Sequence, residues 1–328
     1  MIIHLHFHSR TTGITKSIEN IIPLLNKFSI AMVFGYGIKA RKIKLLPLLR
    51  LVFKGDNLVI HAHRNNEIIF ALFLRFFGGK FKLVFTRHAE SKPSGFTNYL
   101  MGKADHLVSL NSEMSKKLPF QNTVVKHGVN TTVFQILGGE KLTNIPQENL
   151  ISVIGRIRPA KGQLVVLKAL VPLLRNNLNW GLVMIGKIDK KKYAGEILSV
   201  ASENKISSQV HIMPESNEIV NYYHASKVVV IASRSEGFSL VCLESMACGL
   251  ITVATDNVGI HSEVITHGAD GFLFPKNDSD SLRDILSKVI ENKIYLNPTV
   301  VRQSILDNWS IDKSVFELLK VYQISTIP

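Results

Sequence analysis

Short apolar runs of strand character alternate with longer segments of helical period along the whole chain, and this constrains the fold more than any other feature. Ile2–Phe7, Ser29–Phe34, Leu58–Ala62, Phe81–Thr86, His106–Leu110 and Thr123–Lys126 read as strands, with helical patterns such as Thr15–Phe28 and Glu67–Phe77 between them. Parallel strands need a long crossover, usually a helix, so the pattern predicts βαβ units and a parallel sheet. The alternation restarts after the polar stretch Gly138–Asn149, which holds a Gly-Gly pair and Pro146 and reads as a linker. Strands then fall at Leu150–Ile154, Gly181–Ile185, Val210–Met213, Val228–Ala232 and Ile251–Ala254, with helices at Gly162–Arg175 and Ser239–Ala247. A chain of 328 residues is also longer than one hydrophobic core usually sustains. Two doubly wound, Rossmann-like α/β domains are expected, residues 1–147 and 148–310, with a closing helix, 311–328, packed back on the first. Ligands of such sheets bind beyond the carboxyl ends of the strands, so the chemistry is expected in a cleft between the domains.

Charge divides the two halves. Residues 1–147 carry 20 Lys and Arg against 7 Asp and Glu, whereas residues 148–328 carry 19 against 18. A partner that attracts cations therefore meets the first half, which leaves nucleic acid, an anionic membrane face or an acidic glycolipid. No aromatic stacking series or nucleic-acid reader motif is present, so a nucleic-acid partner is not expected. Lys39–Lys54 interleaves cations with apolar residues and suits an anionic bilayer, or else forms an ordinary amphipathic helix with a solvated face; Pro47 predicts two short pieces. The most apolar run, Ile68–Phe77, is about half the length that spans a bilayer and contains Arg75, and the amino terminus lacks the pattern of a secretion signal. Cys242 and Cys248 make no disulfide framework and read as reduced core residues of a cytosolic protein.

Two segments carry most of the chemical information. In Ser235–Glu244, Glu236 stands in a loop after a strand, Gly237 lets backbone approach a ligand, Phe238 follows, and Ser239 is placed to cap a helix whose second turn holds Glu244. Carboxylates so placed grip sugar or ribose hydroxyls; the plain alternative is a solvated Glu and a helix-face Glu. In Val153–Gly162, a strand runs into Gly155-Arg156 and then Lys161-Gly162 at a helix start. Backbone amides, Arg156 and Lys161 can converge there on a diphosphate, or form a basic surface turn. The six-position dinucleotide glycine fingerprint is missing.

These residues resemble the retaining nucleotide-sugar glycosyltransferases of the GT-B fold, family 4. The resemblance extends through Met246–Gly249, Val253–Asp256, Gly259 with Glu263–Ile265, Asp270–Pro275 and His127–Asn130 with Phe134. It implies two Rossmann-like domains facing each other across a cleft and a nucleotide-sugar donor, with no metal and no other cofactor. Arg156 and Lys161 would neutralise the leaving diphosphate, Glu236 would hold donor-sugar hydroxyls and Glu244 the ribose. Gly155, Gly237, Phe238 and Ser239 would cradle donor phosphate or sugar. In the first half, only Gly13 stands where the family shows paired glycines near the donor. His88, after a strand in Thr86–Glu90, matches a family histidine near the transferring sugar and reads as a donor-sugar or acceptor-positioning residue ahead of a structural one. His63, Arg64 and Glu67 end another strand at the same edge and are candidate acceptor contacts, as are Arg87 and Lys92.

His4, His6 and His8 share one strand face by alternation, which raises a metal cluster, but no nearby carboxylate completes it. Within the family, Ala62–Glu67 and Thr86–Ala89 with Lys92–Gly95 look like the lipopolysaccharide core mannosyltransferases. That likeness implies GDP-mannose as donor, the acidic Kdo-lipid A inner core as lipid-linked acceptor, and a cytoplasmic protein peripheral on the inner membrane face. A UDP-sugar hexosyltransferase for surface polysaccharide or glycolipid is the alternative, followed by an epimerase or phosphorylase of the same fold.

Overall fold

The computed structural model describes every residue except Thr11, Asp56, Gly138, Glu140, Ile327 and Pro328, and leaves out the side chains of residues 324–326. Thr11 belongs to the Gly13 loop, and Gly138 and Glu140 to the expected linker, so those points lie outside the described residues. Contacts divide the chain into two units, Met1–Gly128 with Trp309–Pro328, and Val129–Asn308.

In the first unit β1 (Ile2–Phe7), α1 (Gly13–Leu25), β2 (Ala31–Tyr36), α2 (Leu45–Lys54), β3 (Val59–Ala62), α3 (Asn65–Phe76), β4 (Lys82–Thr86), α4 (Gly95–Met101), β5 (His106–Ser109), α5 (Ser112–Lys116) and β6 (Thr123–Val124) follow one another. The sheet is parallel, in the order β2-β1-β3-β4-β5-β6. One core face packs α1 through Ile18, Ile21, Ile22 and Leu25 together with Val315, Leu318 and Val321 of the C-terminal helix. The other packs Leu48 and Val52 of α2 and Ile68, Ala71 and Leu74 of α3. Helix α1 starts on a reciprocal cap between Thr12 and Thr15, which satisfies amides that the first turn leaves open.

The expectation of two short helices around Pro47 is corrected: α2 is a single helix. Pro47 is its third residue, inside the first turn, where an amide has no intrahelical acceptor and a proline costs little. Lys39–Lys44 precede it outside any helix, with an isolated bridge from Val33 to Lys42.

In the second unit β7 (Asn149–Ile154), a 3-10 turn (Pro159–Lys161), α6 (Gln163–Asn176), β8 (Trp180–Ile185), α7 (Lys191–Glu203), β9 (Val210–Met213), α8 (Ile219–Ala225), β10 (Ser226–Ile231), α9 (Leu240–Ala247), β11 (Ile251–Thr255), α10 (His261–Val264), β12 (Phe272–Phe274), α11 (Ser279–Ile290) and α12 (Pro298–Asn308) build a second parallel sheet. Its order is β12-β11-β10-β7-β8-β9. Residues 129–137, expected with the first half, are tied into this unit. Arg302 donates to the carbonyls of Thr131 (2.7 Å), Phe134 (2.6 Å) and Ala247, and the Phe134 ring meets Tyr223 edge-on. The last helix, α13 (Ile311–Thr326), returns to the first unit against α1, β3 and β4. Gly128 admits that return, since a Cβ there would lie 2.3 Å from the Ser310 carbonyl oxygen.

Both sheets therefore have a switch point. Strand order reverses between β1 and β3 in the first and between β7 and β10 in the second, and loops leaving the carboxyl ends of such neighbours open a crevice.

Candidate functional site

At the switch point of the second sheet, the chain leaves β7 through Gly155 (φ +132°), makes the 3-10 turn and enters α6 through Gly162 (φ +70°). A Cβ at Gly162 would lie 2.0 Å from the Ala232 carbonyl oxygen, so only glycine lets this turn press against the end of β10. That approach brings Lys161 to Glu236: the Lys161 ammonium donates to Glu236 Oε1, which also accepts from Ser233 Oγ at 2.7 Å. The two side chains are only 18% and 12% exposed, so the pair sits in a poorly screened environment. Arg156 pairs with Asp189 across 3.4 Å, a partner that arrives from the loop after β8.

Three buried polar atoms on the framing loops have no protein partner: Gln163 Oε1, Ser239 Oγ and His261 Nε2. Ser239 occupies the N-cap position of α9 without using its hydroxyl as a cap. His261 donates from Nδ1 to the Thr255 carbonyl at 2.8 Å, and burial holds its pKa below the usual value, so Nε2 is left as an acceptor. Buried polar atoms normally find partners, and such a group of unpaired ones is what a polar ligand would complete. Gly237 and Phe238 complete the loop, partly exposed. Glu244, in the second turn of α9, accepts a 2.6 Å hydrogen bond from the fully buried Tyr223 hydroxyl. The structure thus brings Lys161, Glu236 and the two glycine turns together, and gives Arg156 and Glu244 partners of their own.

The first unit gathers its residues at the β1/β3 switch point and along the end of β4. Pairing of β1 with β3 sets His4 beside His61, and His63 follows on the same face. His63 bonds His88, 3.0 Å from Nδ1 to Nε2, and His88 stacks on His127 at 5.4 Å. Burial holds His63 and His88 well below the ordinary histidine pKa, with neighbouring imidazoles adding to the effect, so both are neutral at pH 7. Glu67 is fully buried, and its carboxylate takes the amides of Phe7 (3.1 Å) and His63 (2.7 Å), clamping the ends of β1 and β3. Burial raises its pKa to about 7 against the lowering effect of those amides. Arg64 reaches Thr12 Oγ1 at 3.3 Å and its Nε has no partner, while Gly13 opens α1 with nothing within 4 Å of where a Cβ would stand. Arg87 donates to the Ser91 carbonyl (2.7 Å), and Lys92 is exposed on the same loop.

Among the described residues the histidines with mutually close ring nitrogens, within 4.8 Å, are His4, His61 and His63 rather than the strand-face set His4, His6 and His8. His6 turns instead to the Tyr36 carbonyl and Thr15. Cys242 and Cys248 are buried free thiols. No helix among the described residues is long and apolar enough to cross a membrane. Sequence reading did not single out Asp189, Ser233, Tyr223, His261 or Tyr322 as site residues. Asp189, Tyr223 and Tyr322 reach their partners from other elements of the fold, whereas Ser233 and His261 bond residues three and six positions away and so lay within reach of local sequence.

Residues 140–301 match the family described as Glycosyl transferases group 1. The lipopolysaccharide core biosynthesis mannosyltransferase LpcC of Rhizobium leguminosarum bv. viciae is 28% identical over 302 residues, spanning 88% of this chain and 86% of that one. LpsB of Rhizobium meliloti, which carries the same description, is 26% identical across 97% and 95% of the two chains. The Anabaena Alr3699/HepE structure in complex with UDP and glucose superposes with a TM-score of 0.80 at 16% identity, over 98% of this chain and 99% of that one. The matched segment lies inside the unit that holds Lys161 and Glu236, and the chain is a glycosyltransferase of GT-B fold that is similar to the group 1 family over residues 140–301.

Proposed function

We propose that this glycosyltransferase moves mannose from GDP-mannose, with retention, onto the Kdo-lipid A inner core of lipopolysaccharide at a membrane surface. The observation that carries the donor half of the reading is the Lys161–Glu236 pair at the sheet switch point, with unpaired buried polar atoms on Gln163, Ser239 and His261. A diphosphate competes with Glu236 for the Lys161 ammonium; Arg156, on the same turn, adds a second cation as charge develops on the leaving group. Glu236, released from Lys161, takes donor-sugar hydroxyls. Glu244, oriented by Tyr223, takes the ribose hydroxyls. The mannosyltransferase names of LpcC and LpsB support the sugar.

The acceptor half rests on the cationic first unit, where Arg64, Arg87 and Lys92 suit acidic sugars and His88 and His63 end their strands. The α2–α3 face supports contact with an anionic membrane from the cytoplasmic side. Leu45, Leu46 and Phe53 of α2, Ile69, Phe73 and Phe76 of α3, and Phe77 just beyond are exposed apolar side chains flanked by Lys42, Lys44 and Arg50. Each cation near an anionic surface adds about 1 kcal/mol. The test is transfer from radiolabelled GDP-mannose to Kdo-lipid A in vesicles, run beside UDP-glucose, UDP-galactose and ADP-heptose. Labelled lipid with GDP-mannose alone is the expected result. Transfer from another donor keeps the transferase and discards this substrate.

A further inference from the structure

The buried polar groups of the first unit form one continuous series. Thr86 Oγ1 meets His61 Nε2 at 2.7 Å, and His61 Nδ1 meets the Tyr322 hydroxyl at 2.8 Å. Tyr322 in turn meets His4 Nε2 at 3.1 Å, His4 Nδ1 meets His63 Nε2 at 3.0 Å, and His63 Nδ1 meets His88 Nε2 at 3.0 Å. Every link between two nitrogens must hold one hydrogen, since two would clash and none would oppose two lone pairs. Burial keeps His4, at about 3, and the other three imidazoles in the neutral form, each with a single N–H.

Those constraints leave two arrangements in which the fully buried Tyr322 hydroxyl both donates and accepts: all four imidazoles carry Nδ1–H, or all four carry Nε2–H. A mixed arrangement either strands the phenol hydrogen, when both His61 Nδ1 and His4 Nε2 carry hydrogens, or leaves one of those two nitrogens facing the phenol oxygen with no hydrogen between them, and either costs an unsatisfied buried group. The Thr86 end decides between the two. Thr86 is buried, and the described partner of its hydroxyl is His61 Nε2. With Nδ1–H throughout, Thr86 donates and is satisfied; with Nε2–H throughout, its hydrogen has no described protein acceptor.

We infer that Thr86, His61, Tyr322, His4 and His63 form a directional hydrogen-bond relay that holds His88 as its Nδ1–H tautomer, presenting a hydrogen-bond donor to a sugar hydroxyl oxygen. The five are positioning residues, and the sugar as ligand rests on the transferase reading above. The same nitrogens that bring His4, His61 and His63 within metal-binding distance are occupied in this series. His88 therefore acts by donating and not as a general base.

The experiment is nitrogen NMR of the full chain labelled at histidine, which reports the protonated ring nitrogen of each residue without substrate. The wild type should show Nδ1–H at His4, His61, His63 and His88. Thr86→Val removes the end donor with little change in shape, and should turn all four into tautomer mixtures. Tyr322→Phe should do so at His4, His63 and His88. For an even mixture the apparent affinity for the sugar that His88 contacts falls about twofold, because half of the molecules present the wrong nitrogen. Differing tautomers in the wild type, an unchanged His88 in Thr86→Val, or conversion of His4, His61 and His63 to metal-bound signals with one equivalent of Zn2+ would each overturn the relay. Ordered tautomers in a protein that transfers no sugar would keep the relay and remove its ligand.

Discussion

The two sheets place their polar centres at equivalent switch points but build them from opposite materials. The second unit sets a charged pair, Lys161 and Glu236, on glycine-shaped turns drawn from two short stretches of sequence. The first unit uses uncharged imidazoles at positions 4, 61, 63 and 88, joined through a tyrosine at 322. A charged centre can release its ion pair to a charged ligand, whereas a neutral network keeps its shape and offers direction. The contrast suits a diphosphate for one and hydroxyl groups for the other.

Acid should separate the two most strongly. A buried histidine with a lowered pKa binds fewer protons in the folded chain than in the unfolded one, so its stabilisation is complete above pH 6.5 and is lost as pH falls below it. Each such imidazole costs about 1.4 kcal/mol per pH unit. Hydrogen exchange at pH 5 should therefore show the first unit opening well before the second; equal protection would break the comparison. Gly162→Ala should destabilise the second unit by about 3 kcal/mol or more, read as a lowered melting transition, because its Cβ meets the Ala232 carbonyl in a left-handed conformation. Lys161→Ala should slow transfer roughly 10²- to 10³-fold in steady-state assays while the first unit melts as before.

Those effects fall where sequence was most and least readable. Gly155–Gly162 and Ser235–Glu244 are contiguous, so spacing alone located the strand ends, the turns and the helix starts. Strand positions in both sheets were legible for the same reason, apart from the three-residue β12, too short to show alternation. The relay was not legible as a unit, because the His4–His61 neighbourhood depends on strand register and Tyr322 lies 318 residues from His4. Glu67 was readable as an acceptor contact, yet its backbone partners spend its carboxylate on holding two strand ends.

Glu67 also gives a smaller pH effect of opposite sign. Its folded pKa of about 7 lies above the ordinary 4.5, so the stability it contributes is lost as pH rises between those values, by about 3 kcal/mol. Glu67→Gln should flatten that part of the stability profile in urea titrations between pH 5 and 8. The smallest expected change comes from the surface: neutralising Lys42 and Lys44 should weaken binding to anionic vesicles by about 1 kcal/mol per charge, without altering transfer to a detergent-dispersed acceptor. Vesicle binding that stays unchanged would reduce α2 to an ordinary solvated helix.

The most direct test of the central claim is calorimetric titration of the wild type, Lys161→Ala and Glu236→Ala with GDP-mannose, using UDP-glucose as the comparison donor. Selective GDP-mannose binding is expected, weakened at the diphosphate by Lys161→Ala and at the sugar by Glu236→Ala, so that GDP alone still binds the second variant. Equal affinity in all three proteins would contradict it, because the donor would then be held somewhere other than the switch point of the second sheet.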